Sequence, residues 1–195
     1  FVSVTAIVFL GGAWAVAGCA VWGFGGAAVL VLVLALPPLI APGMTEREIA
    51  HRVWEVLFSA GHQGLLRMEN YGEEVFLGHV SAGESGNYPS VFNGPVGLRG
   101  EHPATPHMGS SKRWERGEPL VCDIGFVRSG YHTDKTQVYF AGSRREIPPR
   151  AAAAHEFCIE VQSWVAARLR PGSVPSQLAE HCFAWAERTG WAEGF

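Results

Sequence analysis

Asp123, in Leu120-Val121-Cys122-Asp123-Ile124-Gly125-Phe126, and Asp134, in Tyr131-His132-Thr133-Asp134-Lys135-Thr136, stand eleven residues apart. Asp123 interrupts an apolar run from Pro119 to Phe126, where a lone carboxylate is costly to bury. A second run, Tyr131 to Ala141, follows the turn-like Val127-Arg128-Ser129-Gly130, so the two runs read as one β-hairpin. With Arg128 and Ser129 as the turn residues, antiparallel pairing sets Asp123 opposite Asp134, and a glycine bulge at Gly130 moves the register by about one residue. Like charges at that separation repel. A cation between them removes the penalty, so the pair reads as metal ligands; the competing reading is two aspartates that merely face solvent.

The elements that must position this pair carry a family resemblance. Gly117-Glu118-Pro119-Leu120-Val121-Cys122-Asp123-Ile124-Gly125, followed by Gly130-Tyr131-His132-Thr133-Asp134-Lys135-Thr136, resembles the metal-binding hairpin of the pita-bread metallopeptidases, the group of aminopeptidase P, prolidase, methionine aminopeptidase and creatinase. Upstream, Pro42-Gly43-Met44-Thr45-Glu46-Arg47-Glu48-Ile49-Ala50 resembles the family's helix entry, and Thr45 with Glu48 also forms a capping box on general grounds. The resemblance covers residues 40–195 and implies an α+β, pita-bread fold, present as its first half and the start of the second pseudo-repeat.

An internal repeat agrees with such a two-halved fold. Pro42-Gly43 followed by Ile49, Ala50, Val53, Trp54, Leu57 and Gly61 recurs at an offset of 129 as Pro171-Gly172 followed by Leu178, Ala179, Cys182, Phe183, Ala186 and Gly190. Both copies predict a short amphipathic helix that ends at a glycine. Residues 151–169 predict another helix, with Phe157, Val161 and Trp164 on one face. From Gly78 to Ser111 the chain is rich in Gly, Pro, Asn and Ser and is expected to be a long, ordered, substrate-proximal loop.

The resemblance also implies chemistry. It makes the parent protein a metal-dependent hydrolase of peptide bonds near the N-terminus, preferentially of the Xaa-Pro type, with methionine aminopeptidase, a creatinase-like hydrolase and a non-catalytic binding module as alternatives. Two divalent ions (Mn, Co, Fe or Zn) are implied, with Asp123 a ligand to one and Asp134 bridging both. His107, in Pro106-His107-Met108-Gly109, matches the family's histidine that stabilises the oxyanion, with His102 as its rival. His132 falls on the face of Asp134, and His51, His155 and His181 fall on predicted helices; His79 opens the loop and is given no role. The family's remaining ligands, a histidine and two glutamates, have no counterparts up to Phe195. The 195-residue chain is therefore expected to be inactive and poorly soluble.

Composition bounds the rest. A formal charge of −3 leaves no basic excess for nucleic acid. Cys19, Cys122, Cys158 and Cys182 form no Cys-x-x-Cys pair, which favours reduced thiols and a cytoplasmic location. No Asp, Glu, Lys or Arg precedes Glu46. Residues 1–39 are accordingly expected to be an out-of-frame translation or, alternatively, a membrane anchor. The expected partner is a peptide substrate, membrane only if residues 1–39 are genuine, and a homodimer stays open.

Overall fold

A computed structural model describes residues 2–4, 35–67, 74–76, 78–88, 97–102 and 106–194. They divide into two compact units, one up to Ile147 and one from Pro148 onward. The expectations for the uncharged segment rest on residues 1–39, most of which lie outside the described residues. Among the described residues no helix is long and apolar enough to cross a membrane.

The first unit is an antiparallel sheet with a helix on one face. Its strands are β1 (Val2–Val4), β4 (Gly78–Ala82), β5 (Leu120–Arg128) and β6 (Tyr131–Phe140), in the order β1-β6-β5-β4. The short strands β2 (Leu66–Arg67) and β3 (Glu74–Val75) pair separately. Helix α1 (Glu46–Ser59) lays Ile49, Ala50, Val53 and Leu57 against Val80, Ala82, Leu120, Cys122, Ile124, Phe126 and Tyr139. This i, i+4 stripe against a period-2 face is the core. Trp114, fully buried, closes it and donates its indole N–H to the Glu118 carbonyl at 3.1 Å.

Helix α1 starts where the sequence places it. The Glu48 N–H donates to Thr45 Oγ1 at 3.1 Å and the Thr45 N–H donates to Glu48 Oε2 at 2.7 Å, the reciprocal pair of a capping box. The chain entering it runs beside residues 110–114: Gly43 N–H donates to the Trp114 carbonyl at 2.7 Å, and Glu46 N–H to the Lys112 carbonyl at 2.9 Å.

The hairpin exists, but its register differs from expectation. Arg128 pairs with Tyr131, so the turn residues are Ser129 and Gly130, at φ 52° and 78°. Two successive positive φ values make a type I′ turn, whose twist matches that of the strands. Asp123 therefore lies opposite Thr136, and Asp134 opposite Gly125. The two aspartates are diagonal neighbours on one face rather than a directly opposed pair.

A second correction concerns the loop expected from Gly78 to Ser111. Its first five residues are β4, buried throughout and paired with β5 from Gly78↔Ile124 to Ala82↔Leu120. Only Val80 among them has high β propensity. Pairing makes this a strand, and Gly78 fits it because a Cβ there would lie 2.0 Å from the Asp123 carbonyl oxygen.

The second unit holds α2 (Pro149–Arg168) and α3 (Pro175–Thr189). Of the face expected on α2, Phe157 is buried while Val161 and Trp164 are half-buried. Phe157 meets Trp185 edge-on at 5.6 Å and stacks with Trp191 at 6.1 Å. The repeat appears in the backbone: Gly43 and Gly172 have φ 93° and 90°, and Gly61 and Gly190 have 89° and 79°. Cys122, Cys158 and Cys182 are free thiols, and burial pushes each pKa upward.

Candidate metal centre

With one face of the sheet filled by α1, the alternate residues define the other. Register places His79 and Ser81 of β4, Asp123 and Gly125 of β5, and positions 134 and 136 of β6 on that face. Asp123 is half-buried there, and Thr136 Oγ1 donates to Asp123 Oδ1 at 2.5 Å. The donated hydroxyl fixes one oxygen of the Asp123 carboxylate. Gly125 separates the two aspartate positions; a Cβ on it would come within 2.5 Å of Leu66 Cδ2, so Leu66 packs over the sheet at Gly125. Lys135, next in sequence, belongs to the core face, where it lies opposite Ile124 and its Nζ donates to the Thr136 carbonyl. Burial lowers its pKa, against the opposing pull of Asp123.

His79 is the residue that sequence reasoning left without a role. It sits directly across from Asp123 and is almost fully buried. The signal that would have found it is the β4 pairing, since directly opposed residues share a face.

His107 lies elsewhere in the first unit, on a half-buried turn between Pro106 and Ser110. Burial lowers its pKa, which keeps the imidazole neutral at neutral pH. Met108 and Gly109 turn the chain there with φ 68° and 69°. The turn is tied to α1: Ser110 N–H and Oγ donate to Glu46 Oε2 at 2.9 and 2.6 Å, and Arg47 N–H donates to the Ser110 carbonyl at 3.1 Å. Its rival His102 is exposed, as are His132, His51 and His181, while His155 is half-buried; His181 stacks on Trp164 at 4.1 Å.

The structure thus brings Asp123 and Asp134 to one face as diagonal neighbours. Among the described residues no group of three or more His, Cys, Asp or Glu surrounds a single point. The Asp123 carboxylate, half-buried and held by Thr136, is of the oxygen-donor type that divalent ions take.

Known proteins give this hairpin its context. The model of metallopeptidase family M24 matches residues 26–195. The probable dipeptidase PepE of Mycobacterium tuberculosis is 28% identical over 172 residues, which is 87% of this chain and 38% of that protein. Among solved structures, the X-Pro aminopeptidase of Thermotoga maritima superposes with a TM-score of 0.66 at 20% identity, covering 89% of this chain and 41% of that one. Dipeptidase PepE of Mycobacterium ulcerans gives 0.64 at 24% identity, with 91% and 40% covered. The chain spans about two fifths of the length of these relatives, and over that span its fold is the pita-bread fold. This chain belongs to metallopeptidase family M24.

Proposed function

We propose that the protein hydrolyses peptide bonds near the N-terminus of peptides, as an Xaa-Pro aminopeptidase or dipeptidase, using two divalent ions. The observation that carries this reading is the placement of Asp123 and position 134 on the face of the sheet opposite helix α1, diagonal to each other across Gly125. Relatives described as X-Pro aminopeptidase and dipeptidase support the substrate class.

In this reading Asp123 and Asp134 would be the residues of this chain that hold the divalent ions. Bound divalent ions there supply Lewis acidity, which lowers the pKa of water and polarises a scissile carbonyl. The Thr136 hydroxyl keeps the Asp123 carboxylate from rotating, because one of its oxygens is already engaged. Leu66 lies over Gly125, between the two aspartate positions. His107, neutral through burial, donates its ring N–H to the carbonyl oxygen as that oxygen gains negative charge.

Two carboxylates do not complete the five-ligand centre that the family resemblance implies, so the 195 residues alone are proposed to be inactive. Incubating this chain with Mn²⁺ or Co²⁺ and Xaa-Pro peptides is expected to give no turnover; turnover that vanishes in Asp123→Asn would overturn that statement. The polypeptide encoded by the whole gene is expected to release N-terminal residues only with metal. Asp123→Ala and Asp134→Ala should each lower its kcat/KM by more than about a hundredfold. Unchanged kcat/KM in both variants would refute the assignment.

A further inference from the structure

Glu46 is a fully buried carboxylate at the first position of α1. A buried carboxylate is retained only if its oxygens are satisfied. Oε1 accepts from the Ala82 N–H at 2.7 Å, and Oε2 accepts from the Ser110 N–H at 2.9 Å and Ser110 Oγ at 2.6 Å. Three donors thus converge on this one carboxylate and engage both of its oxygens. Helix capping does not explain it, because Thr45 and Glu48 already form the capping box.

What Glu46 joins is more telling. Ala82 ends β4, the strand that pairs with β5 and sets His79 across from Asp123. Ser110 ends the turn that carries His107. That turn has two successive positive φ values, one of them at the non-glycine Met108, a conformation that persists only when its surroundings impose it. The contact is close: a Cβ on Gly109 would lie 2.6 Å from Glu46 Cβ.

We propose that Glu46 is a positioning residue for His107, fixing the 106–110 turn to the end of the strand beside Asp123. This rests on the reading of His107 given above for its catalytic meaning, but the geometric statement can be tested without catalysis. Glu46 holds both partners with the two oxygens of one rigid group. A displacement of the turn must break at least one of these bonds.

The test is peptide-resolved mass spectrometry of carbethoxylation by diethyl pyrocarbonate, together with amide hydrogen exchange, on the 195-residue chain. In Glu46→Gln, the amide cannot accept from both Ser110 donors and Ala82 alike. His107 modification and Ser110 exchange should accelerate roughly tenfold, while exposed His102 and His132 and the amides of Cys122–Phe126 stay as they were. Ser110→Ala removes only the hydroxyl and should give a smaller acceleration of His107, about threefold. Gly109→Ala pushes the turn from the helix without touching the carboxylate and should act in the same direction as Glu46→Gln.

Unchanged His107 reactivity in Ser110→Ala and Gly109→Ala overturns the proposal. So does acceleration of all histidines in parallel with lost thermal stability, which would make Glu46 merely structural. Retained activity of His107→Ala in the metal-loaded full-length enzyme would sink only the catalytic reading of His107, because the modification pattern does not depend on it.

Discussion

Helices α1 and α3 share a pattern at an offset of 129 residues, yet they are buried to different extents. Helix α1 buries Ile49, Ala50, Val53 and Leu57 completely against the sheet. In α3 the corresponding Leu178 is half-buried, Ala179 is exposed, and only Cys182 and Ala186 are buried. Their starts differ as well. Thr45 caps α1, whereas the α3 cap position is Val174, 48% exposed and with no side chain accepting from the helix. An amphipathic repeat thus states which face can be buried; the surface that it meets decides how much is gained.

Core truncation should separate the two helices most strongly. Leu57→Ala is expected to cost about 2–5 kcal/mol, and Leu178→Ala less than about 1 kcal/mol, in denaturant unfolding followed by hydrogen exchange of each helix. Similar losses would mean that α3 is as well packed as α1. Next in size is the cap: Thr45→Ala should cost about 1 kcal/mol, visible as faster exchange in the first turn of α1. The reverse exchange is a sharper test. Val174→Thr places a hydroxyl three residues before Gln177, and should stabilise α3 by up to about 1 kcal/mol if its extended cap geometry suffices. No gain would show that Pro175 at the first helical position already fixes that end.

The smallest effect is a pH dependence from His62 in the first unit. The Val127 N–H donates to His62 Nδ1 at 2.9 Å, and burial lowers the His62 pKa from 6.5. Between the lowered folded value and 6.5 the unfolded chain binds more protons. Stability therefore falls as pH drops through 6.5, and the loss is complete once pH is below the folded value. His62→Gln, which still offers an acceptor, should flatten the slope of melting temperature against pH below about 7. An unchanged slope would assign the dependence to other groups.

The hairpin, the helix faces, the capping box and the repeated glycines were legible in the sequence because each follows from local periodicity or one special backbone angle. The register was not. Arg128-Ser129-Gly130 offers several two-residue turns, and the one formed requires Ser129 in the left-handed region, which its side chain does not advertise. Strand β4 was hidden because Gly78-His79-Val80-Ser81-Ala82 gains its strand character from pairing with β5. With it went the placement of His79. That the two aspartates share one face of the hairpin was legible from their spacing. Glu46 was legible only as part of a helix entry, since its three donors come from residues 36 and 64 positions away.

The two-residue turn at Ser129 and Gly130 also limits how this hairpin can change length. A strand that slips by one residue presents its other set of side chains. One residue inserted into the turn and absorbed by such a slip would bring Lys135 to the face now held by Asp134, replacing a carboxylate with an ammonium beside Asp123. Viable insertions and deletions there should come in pairs of residues, and the shortness of the turn guards the sign of the charge on the face that carries Asp123.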